Sequence, residues 1–571
     1  MKTRYIVPLL LFCLFACMAC EDDKTEMPRL FRPSFIASSC FAEDNTITLA
    51  WRTSGEATSY TVELSQDATF QSEKLETQTV EHGKCTFTNL RYETKFYARV
   101  RANNESLAIT SNWTEMGSSI STLSRTIPKI LYAVEGSRIS ETSVEIKWVV
   151  SEKNPVDGLA IWEEGTTEER QISLENAFAG QYTITGLTPR TTYYVALTNS
   201  AAPEGAEKYN QQRFTTAGMP ADAVVVEDGV DLMDKIKAGM TDASKQALVF
   251  QLKNGVDYYL TEGGEVAAKT GDIKLTKSIA LLANPGERPT LYIREGCFNV
   301  KPESGNMPDI EYFVVDNVNI KETWTDSKPS KGSKTRLLNI GKHDAGTDFT
   351  IDRFEITNSD IVLPSAVLMM SDASEGVTTI NHIRIDNCLV SGINTSAVTK
   401  QFGFIHAINK GSNVWNDVSV TNSTFYEFYI SPGVFGAPTA NVPIAAGNKV
   451  VISNCTFYNW GSNKDGKNTY RAVGNFSKLT APLNLSVNNC VFGSSESKVL
   501  DAGGINLSSK GNYCTSDFEK MSDAGLTLIS LDTDDASLFR NIEENDFTVI
   551  DAESVIYKSE YGDPRWITVL D

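Results

Sequence analysis

The chain is short of several things, and each shortage excludes a class of protein. Positive charge is the first: 52 Lys and Arg stand against 72 Asp and Glu in 571 residues, a net charge of -20. A duplex or other polyanion held by bulk attraction is therefore excluded, and only a local basic surface could bind one. Glycine and proline, at 38 and 19, fall below the joint fraction that marks low complexity, while hydrophobic residues make up 41%, so disorder and collagen are excluded as well. Long apolar runs are lacking too: the stretch from Ile6 to Ala19 is far too short to cross a bilayer. Beyond that leader, seven cysteines remain, an odd number with no C-x-x-C pair (Cys40, Cys85, Cys297, Cys388, Cys455, Cys490 and Cys514). No metal site is expected from that spacing, and Cys40–Cys85 is at best a possible bridge. At roughly 150 residues per domain the length implies three or four structural units.

Lys2 and Arg4 precede the apolar run, which ends in Cys17-Met-Ala-Cys20 and breaks sharply at Glu21-Asp22-Asp23. Charged start, short apolar centre and small residue before a cysteine resemble a bacterial lipoprotein signal. Cys17 has a leucine three places upstream, but Cys20 has the acidic follow-on that resembles the surface-export signal of Bacteroidetes lipoproteins. The resemblance implies a signal peptide over 1–20, lipid on Cys20 and an outer-membrane, cell-surface location. The alternative is an ordinary secreted signal peptide cut nearby.

From Leu30 to Thr216 short alternating strands are separated by turns, the pattern of an antiparallel sandwich. The pattern repeats. Trp51, ending Ile47–Trp51, is followed 39 residues later by Leu90, and Trp148, ending Val144–Trp148, is followed 39 later by Leu187, an offset of 97 between copies. The segment Leu187-Thr-Pro-Arg-Thr-Thr-Tyr193 resembles the tyrosine corner of fibronectin type III domains, in which a Tyr hydroxyl returns to nearby backbone. The first copy has Phe96 at that place, so its corner must rest on packing alone. Both tryptophans are expected between the sheets. Two fibronectin-like domains, 30–124 and 125–217, serve as spacers in this reading.

Past Gly218 the pattern changes. Asp231 to Met240 can form one short amphipathic helix with Leu232, Met233 and Ile236 on one side. From Phe313 onward an octet recurs: apolar, any, apolar, any, Asn, any, any, apolar. Its asparagines are Asn317, Asn358, Asn387, Asn422, Asn454 and Asn489, spaced 41, 29, 35, 32 and 35 apart. A constant octet with variable spacing predicts one rung of a stack per repeat, with loops of different length projecting from it. Two-residue alternation places the residues four and two before each Asn, and the Asn itself, on one buried face. Stacked amides can then bond from rung to rung. This resembles the asparagine ladder of the pectin-lyase-like superfamily, and implies a right-handed parallel β-helix over 222–571. The fold class expected is all-β: two sandwiches followed by a coil.

Polysaccharide lyases of that fold need a base, and often carboxylates holding Ca²⁺, on an outer face. The outward positions beside the ladder stack no carboxylates on adjacent rungs. Glu355, Arg384 and Asp386 could form a small acid-base group on neighbouring rungs, with a surface ion pair the commoner explanation. Paired aspartates for a hydrolase do not occur in the ladder. The loops say more. Segment 321–343 holds Lys321, Lys328, Lys331, Lys334, Arg336 and Lys342 against Glu322 and Asp326, a net +4, and includes Trp324. Between Asn454 and Asn489 lie Lys464, Lys467, Arg471 and Lys478 against Asp465, with Trp460 and Tyr470 nearby. Cations pair with carboxylate or sulfate and aromatic faces pack on sugar rings. Trp324, Lys328, Lys331, Lys334, Arg336, Trp460, Lys464, Lys467 and Arg471 are therefore the expected glycan contacts.

Anchor, spacers and coil together resemble the surface glycan-binding lipoproteins encoded with Bacteroidetes polysaccharide-uptake systems. That resemblance implies capture of an acidic polysaccharide, of glycosaminoglycan or pectin class, and transfer to outer-membrane uptake components. It implies no cofactor, no metal, no nucleic acid, and contact with membrane through lipid alone. The alternatives are a lyase acting on a uronate polysaccharide and an adhesin for a host protein.

Overall fold

The computed structural model describes residues 29–260, 273–293, 298–322, 336–364, 367–372, 375–393, 402–407, 412–430, 433–436, 449–461, 470–476, 483–501, 503, 505–519 and 526–570. Cys20, Trp324, Lys328, Lys331, Lys334, Lys464 and Lys467 lie outside them. The chain is all-β and forms two compact units, Met1–Thr126 with Asn199–Lys208, and Ile127–Thr198 with Tyr209–Asp571. Among the described residues no helix is long and apolar enough to cross a membrane.

In the first sandwich, Thr46–Arg52 pairs with Lys84–Phe87 in one sheet, and Ser59–Ser65 pairs with Glu76–Val80 and Lys95–Asn104 in the other, all antiparallel. Ile47, Leu49 and Trp51 alternate inward from one side and Tyr60, Val62 and Leu64 from the other, closing one core. Phe96 belongs to that core and its corner rests on packing, as the missing hydroxyl requires. Cys40 and Cys85 are free thiols, so the possible bridge is not formed.

The second sandwich pairs Ser143–Lys147 with Gln181–Thr185, and sets Gly158–Glu163 between Arg170–Ser173 and Thr192–Thr198, with Lys208–Thr215 beyond. Trp148 is buried in its core. Tyr193 makes the expected corner: its hydroxyl accepts from the Thr188 N–H at 3.0 Å.

The helix is Leu232–Thr241, capped by the Asp231 carboxylate accepting from the Asp234 N–H, and its buried Leu232, Met233, Ile236 and Met240 join the core of the coil. Around it three parallel sheets wind into a parallel β-helix. Among the described residues the first has ten strands from Val224–Val226 to Ile505–Lys510, the second ten from Asp257–Tyr259 to Ile529–Ser530, and the third eight from Ile273–Lys274 to Lys498–Asp501. Each octet supplies one strand of the first sheet and, after its asparagine, one of the second. The alternating apolar residues, from Phe313 and Val315 to Leu485 and Val487, all lie in the core.

The asparagines differ from expectation. They are half-buried at the corner between the two sheets, in left-handed backbone with φ from 50° to 58°, which Asn tolerates better than most side chains. Amide-to-amide steps join Asn387 to Asn358 at 2.8 Å and Asn454 to Asn422 and Asn489 to Asn454 at 3.3 Å. Two steps run through carboxylates instead: Asn358 donates to Asp316 at 2.7 Å and Asn422 to Asp386 at 2.8 Å. An aspartate one residue before the corner reaches the next rung's amide as well as an asparagine does, and makes a charge-assisted bond.

The coil does not continue to the end of the chain. Residues after Ser530 fold into a helix Asp535–Leu538, a hairpin of Phe539–Asn541 with Asp546–Val549, and a helix Val555–Ser559. This terminal cap lies on the outer face of the second sheet, where Phe547, Leu538, Ile556 and Ile567 pack against Tyr426 and Val491. Asp563 accepts from the Thr424 hydroxyl at 2.8 Å.

Candidate functional site

The third sheet has no ladder, so only its register shows which side chains share a face. Asn299, Asn339, Met370, His406, Gly436, Asn475 and Asp501 stand in one row across seven strands. Their neighbours Phe298, Leu338, Met369, Ile405 and Phe435 point into the core, so the row faces outward. Arg336 reaches onto it, donating from Nη1 to Asn339 Oδ1, while Asn339 Nδ2 donates to Asn299 Oδ1 at 2.9 Å. The Arg336 Nε–H is buried and has no acceptor among the described residues. Burial pulls the guanidinium below its usual value, and Asp372, acting at longer range, only partly opposes this. Arg336 forms no ion pair among the described residues.

His406, in the same row, was not foreseen. It is fully buried. The Gly403 N–H donates to Nδ1 at 3.0 Å, which leaves the ring proton on Nε2, and that nitrogen has no partner among the described residues. Burial, helped by the Arg336 charge, pulls its pKa down to about 3, so the imidazole is neutral. A Cβ on Gly436 would come within 2.2 Å of Nδ1, so only glycine permits that ring position.

Two expected contacts are structural instead. Trp460 has 0% exposure; its ring packs against Phe457, Phe492 and Phe518 and its Nε1 donates to the Lys498 carbonyl at 2.9 Å. It cannot offer a face to a sugar. Arg471 is buried and its Nε donates to Asp501 at 2.5 Å, with Lys498 Nζ at 2.9 Å on the other oxygen. Its charge is already matched.

On the outer face of the first sheet, Arg384 and Asp386 form an ion pair at 3.0 Å and are joined by two residues of the second sandwich. Arg213 reaches Asp386 at 2.9 Å and Glu164 at 2.8 Å, and Arg384 reaches Glu164 at 3.3 Å. Asp386 also accepts from the Thr421 hydroxyl at 2.6 Å. Burial alone would raise the Asp386 pKa, but Arg213 and Arg384 outweigh it and hold the carboxyl below its usual value. The same carboxylate holds Arg213 above its usual range despite burial. Glu355 stays outside this network. The ion-pair explanation holds for Arg384 and Asp386, whose partners come from a domain that no ladder position could indicate.

Compared with known proteins, residues 33–115 match the fibronectin type III domain, and residues 450–566 match a family described as "Domain of unknown function (DUF5123)". The second match spans the last ladder rungs and nearly all of the terminal cap. No curated protein matches the chain. Among solved structures, the FN1–FN3 domains of chicken CNTN1 are similar at 15% identity, over 34% of this chain and 69% of that one, with a TM-score of 0.16.

Proposed function

We propose that the protein is a cell-surface lipoprotein that binds an acidic polysaccharide, of glycosaminoglycan or pectin class, at the outer face of the third sheet and passes it to outer-membrane uptake components. The observation that carries this reading is Arg336: a half-buried guanidinium with no ion-pair partner among the described residues, within the segment 321–343 of net +4 in a chain of net -20. A buried cation is normally paired, and a uronate carboxylate or a sulfate supplies the missing acceptor in bidentate form. Binding without cleavage is favoured over a lyase because neither candidate base suits: Arg384 is engaged by Glu164 and Asp386, and the His406 ring is fully buried.

The full chain should be retarded in a gel containing polygalacturonate or chondroitin sulfate and not in one containing a neutral glycan. Arg336→Gln removes a charged hydrogen-bonding group, about 1.5–3 kcal/mol, so affinity should fall roughly tenfold or more. Equal retardation by neutral glycans, or undiminished binding by the variant, overturns the reading. The anchor rests on the leader alone. Cys20→Ala should move the protein from the membrane fraction to the soluble one, since each buried acyl CH₂ contributes about 0.8 kcal/mol; an unchanged distribution removes lipid from the proposal.

A further inference from the structure

The first sandwich carries a row of cations along its strand Lys95–Asn104. Phe96, Ala98, Val100 and Ala102 of that strand belong to the core, so Lys95, Tyr97, Arg99 and Arg101 face outward by alternation. Aromatic rings hold these cations in place. Lys95 Nζ lies 5.4 Å from the centre of the Tyr97 ring, the Arg99 guanidinium meets Phe70 at 4.5 Å and Trp113 at 4.4 Å, and that of Arg101 meets Trp113 at 4.6 Å.

Their charges are matched unequally. Arg99 is taken by Glu63 at 2.6 Å. Among the described residues Lys95 and Arg101 form no ion pair, and the buried Arg101 Nε–H has no acceptor. A ring attracts a guanidinium through its face and leaves the N–H edge free to donate, so Trp113 fixes Arg101 without neutralising it. Glu115 stands beside Arg99 on the neighbouring strand and is exposed. Lys95, Arg99 and Arg101 therefore face Glu63 and Glu115, a local excess of positive charge on a chain of net -20.

We propose that this row is a second contact for an acidic polysaccharide, which lies along Lys95–Arg101 with one carboxylate or sulfate on the outward edge of the Arg101 guanidinium and another on Lys95. The six residues from one cation to the other span about 20 Å, which suits a polymer and not a single small anion. Side chains already clamped by rings lose little freedom on binding, so more of the contact energy is kept. The choice of ligand rests on the acidic-glycan reading, whereas the site is on a different domain from Arg336. It makes the first sandwich a binding surface and not a spacer alone.

Affinity electrophoresis of the full chain in polygalacturonate, at two salt concentrations, tests it. Arg101→Gln should weaken retention by about threefold, the scale of a partly solvent-screened charge contact, and Arg101→Lys, which keeps the charge but not the fork, by less. Glu115→Gln cancels a repelling carboxylate and should strengthen retention, with a gain that shrinks as salt rises. Rings and cations that served only the fold would give no tighter binding in that variant. In the Arg336→Gln background weakened retention should remain, and should fall again when Arg101→Gln is added. No loss in Arg101→Gln, no gain in Glu115→Gln, or complete loss of retention in Arg336→Gln alone each overturns the first-sandwich site and leaves the third-sheet face standing. Retention undiminished in Arg336→Gln but lost in Arg101→Gln overturns the third-sheet reading alone.

Discussion

Asp386→Ala should destabilise the junction of the second sandwich and the coil by about 3 kcal/mol, at the lower end of what breaking a buried ion pair costs. The side chain is 2% exposed and meets both Arg213 and Arg384. Its removal leaves Arg213, itself 17% exposed, with Glu164 as its remaining partner; without Glu164 the loss would approach the upper end. Asp386 also accepts from Asn422, so the ladder loses a step at the same place. Asp386→Asn keeps an oxygen for Thr421 and Asn422 but cancels the charge, and should cost less; Glu164→Gln, at a more exposed carboxylate, should cost least. The sign with pH follows from the lowered carboxyl. Its stabilisation is present above the unfolded value near 3.8 and is lost as pH falls below that, through the folded pKa. Hydrogen exchange along 208–215 and 377–386 should rise together in Asp386→Ala. Unchanged exchange in both strands would show that the network does not hold the junction.

How much of this was legible depended on whether a feature repeats or is local. The octet repeats, so it yields both the stack and the buried face: each pair such as Ile383 and Ile385 has the same neighbours one rung away. Trp51 and Trp148 were legible because each ends an alternating strand. The third sheet was not, since its inward residues Phe298, Leu338, Met369, Ile405 and Phe435 share no marker residue and stand at irregular spacing. Without its register, Trp460 reads as a loop aromatic two residues beyond the strand Thr456–Tyr458, although it packs into the core. Arg384 and Asp386 could be singled out from their rung positions, but Arg213 lies 173 residues before Asp386 and on another domain. The terminal cap escaped for the same reason: the Asp563–Thr424 bond spans 139 residues, and no local period announces it.

That cap should become more stable, not less, on mild acidification. Asp535, at the start of its first helix, is 1% exposed. It accepts from the Ser494 N–H at 2.8 Å, and among the described residues no lysine or arginine lies within ion-pair distance. Burial pushes its pKa from 3.8 up to about 6, with Asp517 and Asp534 adding repulsion against the Ser494 hydrogen bond, which favours the charge. Tyr458, on the sheet below, feels the same carboxylate and is raised by it in addition to burial. Because the folded value lies above the unfolded one, the folded state binds the extra proton between pH 3.8 and 6. Stability therefore falls as pH rises through that window and stays low above it. A shift of about two units corresponds to about 3 kcal/mol at neutral pH, an upper bound if the cap opens locally. Asp535→Asn removes the ionisation while nearly keeping the shape, so at pH 8 the variant should unfold about 2–3 kcal/mol later than the wild type, and at pH 4 the two should nearly coincide. Asp563, also raised to about 6 by burial but opposed by Arg565, contributes a slope of the same sign that the variant retains. Denaturant melts of the full chain at pH 4, 6 and 8, read by exchange at Phe539–Val549, measure the difference. A gap that is the same at every pH would mean that Asp535 acts through shape, and not through its charge.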